Sequence, residues 1–180
     1  MRILVVLAMI LGLFGSAEAN SRKPIRMAEG ESAVQQVVLH LAIRALKKSG
    51  FKTEIHTVAQ PDLIGALAEG TVHAHPTAVA AELPGLPGAI EAKTVRSLGG
   101  IMANSPDEEM LKLVWPGMKK RWPDAQKMLK RMVIPADDLA AISDQLAAGQ
   151  DAEAVADSWW KANKKAWKPW IAASKNWMKP

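Results

Sequence analysis

Between Ile25 and His75 the chain twice runs strand, helix, strand, and this constrains the fold more than any other feature. Ile25 to Ala28 is a short strand after Pro24. Ser32 caps a helix that runs to about Ser49, with Gly50 as its stop. Along it Val34, Val37, Val38, Leu41, Ala42, Ala45 and Leu46 recur at helical spacing and form one apolar stripe. Lys52 to Val58 alternates as a second strand. Pro61 and Asp62 open a short helix carrying Leu63, Ile64, Leu67 and Ala68, which Gly70 closes. Val72 to His75 is a third strand, stopped by Pro76. Consecutive strand–helix–strand units of this length predict a parallel sheet with right-handed crossovers.

The pattern then changes. Residues 80–92 are rich in Pro and Gly and read as a loop, and Thr94 to Leu98 as a fourth strand. Ser105, Pro106 and Glu108 have the spacing of a capping box leading into a helix through Met110, Leu111 and Val114. Further helices start at Pro123 and at Pro135, the second ending at Gly149. Asp151 caps a last long segment with Val155, Trp159 and Trp160 on one side, which Pro169 kinks or ends. The expected division is 1–19 as a cleaved leader, 20–104 as an α/β lobe and 105–180 as a helical region packed on it.

The leader rests on Arg2, an apolar run from Ile3 to Phe14 and the small-residue site Ala17-Glu18-Ala19. It implies a periplasmic address without a transmembrane helix after cleavage. There is no cysteine, which removes disulfides, thiolate metal sites, a thiol nucleophile and a lipid-modified N-terminal anchor. Charge is unevenly spread: residues 20–110 hold 9 Lys and Arg against 10 Asp and Glu, and residues 111–180 hold 13 against 7. All seven Trp lie in that basic half. An exported address argues against nucleic acid as the partner, leaving a solvated face or a membrane-facing one.

Two stretches together resemble a known family. The first comprises KPIRMAE (23–29), a helix ending KSGF (48–51), and LAEGTVHAHP (67–76). The second comprises WPDA (122–125), IPADDLAAI (134–142), GQDAEAVA (149–156), SWWKAN (158–163) and Trp170. These are similar to substrate-binding proteins of ABC importers for glycine betaine, choline and related quaternary amines. The resemblance implies a periplasmic-binding-protein-like α/β lobe: a small parallel sheet of three to four strands, flanking helices and a helical C-terminal region. It also implies a betaine-like small-molecule ligand, an ABC permease of the inner membrane as partner, and neither enzymatic activity nor cofactor. Family members have two lobes. Here the fourth strand runs almost directly into the closing helices, so most of a second lobe is missing. An open half-site binds weakly or completes itself as a homodimer.

The family holds its cationic ligand between aromatic faces by cation–π attraction. After the first strand this chain instead reads Glu29-Gly30-Glu31-Ser32, and after the third Pro76-Thr77-Ala78-Val79, so the lobe offers no aromatic there. Topology still marks the place, because ligands of open parallel sheets lie beyond the carboxyl ends of the strands. That assigns Glu29, Gly30, Glu31, Ser32, His75 and Thr77 to the ligand. The amides opening the Ser32 helix suit a carboxylate, and Glu29 or Glu31 a cationic end; the plainer alternative is a cap with acids favouring the helix dipole. Trp115, Trp122 and Trp159 are the aromatics left to rim the pocket. His73 and His75 stand two apart on a strand, but without a third ligand at a diagnostic spacing they read as ordinary hydrogen-bonded histidines and not as a metal site.

The series Trp159, Trp160, Lys161, Lys164, Lys165, Trp167, Lys168, Trp170, Lys175, Trp177 and Lys179 has two readings. In one, Trp159, Trp160 and Trp170 pack inward while Trp167 and Trp177 are partly exposed. In the other, this basic Trp-rich surface meets a membrane or protein partner, and the lobe is an interaction scaffold. No nucleophile elbow, zinc-protease motif or phosphate loop occurs.

Overall fold

The computed structural model describes residues 23–102 and 110–171. The leader, the capping box at 105–108 and Trp177 lie outside them. β1 (Ile25–Ala28) leads to α1 (Ala33–Lys48), then β2 (Thr53–His56), a 3-10 turn at Gln60–Asp62, α2 (Leu63–Glu69) and β3 (Ala74–Val79). Ser32 caps α1, and Gly50, at φ 84°, adopts the left-handed conformation that ends it. After a 3-10 turn at Ala80–Glu82 come α3 (Leu86–Glu91), β4 (Arg96–Gly100) and β5 (Met110–Val114). The chain continues through α4 (Met118–Arg121), α5 (Pro123–Arg131), α6 (Ala136–Ala147), α7 (Ala152–Ala162) and α8 (Lys164–Ile171).

One sheet has the order β2-β1-β3-β5-β4. β1 pairs in parallel with β2 and β3, whereas β5 lies antiparallel between β3 and β4. The sheet therefore has five strands and is mixed, not the three or four parallel strands expected. Met110 to Val114 is a strand where a helix was expected. Buried on both faces, it shows no alternation, and its antiparallel neighbours place it.

Pro76 does not stop β3. It lies in a register shift between His75 and Ala78, where no ladder bond requires its missing N–H. The expected loop at 80–92 contains the helix α3, with Pro87 in its first turn. The last long segment breaks at Asn163, not at Pro169, which α8 absorbs.

Helices cover both faces. On one, α1 and α5 to α8 bury Ile25, Met27, Ala74 and Val114; on the other, α2 and α3 bury Ala28, Ala78, Leu111 and Leu113. Trp159 stacks on Trp170 at 5.7 Å and Trp160 on Trp167 at 4.2 Å. Trp167 is buried, its indole N–H donating to the Trp160 carbonyl at 2.7 Å, rather than partly exposed as expected. The tryptophans of α7 and α8 thus turn inward and leave Lys161, Lys164, Lys165 and Lys168 outside.

Candidate functional site

The candidate site lies beyond the carboxyl ends of β1 to β3. Between β1 and α1 the backbone at Gly30 passes so close to Gln35 that a methyl there would overlap its side chain. The Ser32 hydroxyl accepts from the Gln35 amide at 3.2 Å, and Gln35 Oε1 accepts from the Ser32 amide at 2.8 Å. This is a reciprocal capping box. The remaining first-turn amides, those of Ala33 and Val34, have no acceptor within the helix.

Gln35 is the residue that sequence reasoning missed. Its side chain is buried, and Nε2 donates to the Thr77 carbonyl at 2.9 Å, tying the start of α1 to β3. The register shift makes this possible: Thr77 is freed from the ladder, so its N–H donates to His75 Nδ1 at 3.2 Å. Thr77 is fully buried and its hydroxyl has no partner. The signal for Gln35 was present as Ser32-x-x-Gln35, the sequence form of that box. Burial pushes His75 down to about 4, so it is neutral at pH 7 and acts as an acceptor.

Glu29 and Glu31 form the outer part of this end. The Glu29 amide donates to the His56 carbonyl at 3.0 Å, and its carboxylate accepts from the Thr57 hydroxyl at 3.0 Å. Glu31 is exposed. Thr57 lines a cavity of about 540 Å³ between α2 and the segment that follows β2, and Asp62 and Glu69 are among its other lining residues. Gln35 therefore links Gly30, Ser32 and Thr77, and through Thr77 His75, while Glu29 is tied to His56 and Thr57 beside them.

It does not bring the three tryptophans there. β5 runs opposite to β3, so Trp115 lies at the opening end of β3, its amide donating to the His73 carbonyl at 3.0 Å. Trp122 packs on the His73 ring at 4.7 Å. Trp159 packs against α1 and Trp170.

His73 belongs to this opposite end. Its Nδ1 accepts from the Arg26 amide at 2.9 Å, and desolvation, aided by the Arg26 and Arg121 charges, pushes it down to about 4. Among the described residues no three His, Asp or Glu side chains converge as a metal site. No helix there is long and apolar enough to cross a membrane.

The strand order, the single antiparallel strand and the helices on both faces define an α/β lobe of the periplasmic-binding-protein kind. Residues 88–162, less than half of the chain, match the model of the substrate binding domain of ABC-type glycine betaine transport systems. Three solved structures share the fold. Lactococcal OpuAC in its closed-liganded conformation with glycine betaine matches at 13% identity over 83% of this chain and 99% of that one, with a TM-score of 0.67. An ABC-transporter choline-binding protein in complex with choline matches at 12% over 88% and 95%, with a TM-score of 0.69. The glycine betaine/L-proline-binding protein ProX of Borrelia burgdorferi matches at 12% over 86% and 100%, with a TM-score of 0.68. The chain resembles the substrate-binding proteins of glycine betaine and choline importers.

Proposed function

We propose that the protein is an extracytoplasmic solute-binding component of an ABC importer, taking a betaine-like zwitterion or quaternary amine. The match of residues 88–162 carries this reading. The geometry supports it with complementary ends for such a ligand. A carboxylate meets the Ala33 and Val34 amides at the positive end of α1. The cationic group lies toward Glu29 and Glu31, where carboxylates replace the aromatic faces absent from this end. Gln35 and Thr77 hold the two elements in register. The partner is an inner-membrane permease, and the leader delivers the protein to the periplasm.

Calorimetric titration with glycine betaine, choline, carnitine and proline betaine tests it. Saturable heat with at least one is expected, weakened at least tenfold by Glu29→Ala or Ser32→Ala. No heat from a folded protein, or binding indifferent to both substitutions, would overturn the assignment.

A further inference from the structure

The outer edge of β2, whose last residue adjoins Glu29 at the ligand end, points to a second function of the surface. β2 is the first strand of the sheet order and pairs only with β1 among the described residues. The Ile25 amide donates to the Lys52 carbonyl at 2.8 Å and the Glu29 amide to the His56 carbonyl at 3.0 Å. Backbone groups of a parallel strand alternate between its two sides. The even-numbered residues of β2 therefore bond to β1, and Thr53 and Ile55 present their N–H and C=O groups outward. Free edges are normally blunted by charge, proline or cover.

Beside Glu54 and His56 this edge also carries an apolar side chain. Ile55 is 47% exposed, the most exposed large apolar residue among those described. It lines a cavity of about 470 Å³ together with His40, Ile43, Arg44 and Thr53. Within this cavity the Thr53 hydroxyl and Arg44 Nε are buried without partners.

We propose that this edge pairs antiparallel with the same edge of a second copy of the chain. The strand is complementary to itself. With a twofold axis through Ile55, the two isoleucines meet, and Glu54 falls opposite the partner's His56. Within one chain His56 Nε2 and a Glu54 carboxylate oxygen lie 3.6 Å apart, and on the twofold each residue faces the other's counterpart again across the interface. Side chains alternate across a strand, so this pair lies on the face opposite Ile55. The axis stands perpendicular to the sheet and keeps both α1 helices on one side. Their cavities then flank a shared apolar floor of Ile43 and Ile55. The ligand ends of the two copies point in opposite directions, so the dimer leaves both open.

Light scattering and sedimentation velocity over a dilution series test this. Twice the chain mass is expected. Ile55→Pro removes an outward N–H and the exposed side chain but no bond to β1, and should shift the protein to monomer with an unchanged circular dichroism spectrum. Ile55→Lys, at a solvent-facing position, should do the same and covers the case in which the proline variant misfolds. A monomer at every concentration would overturn the proposal. So would a dimer that survives both substitutions.

Discussion

Two buried histidines make the protein sensitive to acid. His73 and His75 each titrate near 4 in the folded chain and near 6.5 when unfolded. Above 6.5 both states are neutral and stability is flat. As pH falls from 6.5 toward 4, the unfolded chain takes up protons that the folded chain refuses. Stability then drops by about 1.4 kcal/mol per pH unit for each histidine. Denaturant melts at pH 7, 6 and 5 should show this fall. His73→Gln with His75→Gln should flatten the profile; a slope that persists in the double variant would place the titration elsewhere.

Lys112 shows how one residue fastens an element. It lies on β5 with its side chain buried, and its ammonium donates to the Lys130 and Met132 carbonyls at 3.2 and 2.6 Å. A cation there satisfies carbonyls at the end of α5 and opposes its dipole. Burial pushes the lysine down to about 8, still above neutrality. Lys112→Ala leaves those carbonyls unpaired and should cost about 2–4 kcal/mol in chemical denaturation. A loss below about 0.5 kcal/mol would mean that water serves them equally well.

The elements legible in the sequence were those defined locally. β1, α1 and its end could be read because Ser32, the Val34–Leu46 stripe and Gly50 all lie within the same short stretch. β5 was not legible, because MLKLV is buried on both faces, Lys112 included, and its strand character comes from β3 and β4. Pro76 misled for the same reason, since the register shift that tolerates it belongs to the pairing with β5. At the site, Ser32 and Glu29 followed from topology. Gln35 went unnoticed because its importance lies in reaching Thr77, 42 residues away, and the misplacement of Trp115 and Trp122 reflects a direction of β5 that no local pattern records.

At the scale of the molecule, a single sheet carries the described residues, with no second sheet to close over a ligand. Small-angle scattering should therefore show an unchanged radius of gyration when glycine betaine saturates the protein. A contraction would reveal a second body that moves.

The connection between β4 and β5 has a consequence for how such proteins can be rebuilt. β4 ends and β5 begins at the same end of the sheet as Ser32, where Gly100 faces Leu111 and the Ile101 amide donates to the Met110 carbonyl at 3.0 Å. Chain leaving one strand and returning by the other departs and arrives about 4.8 Å apart. Any module whose own termini are that close can be spliced in or cut out there without breaking a ladder bond. This makes the junction a natural seam for trading whole domains, and the first place to graft one.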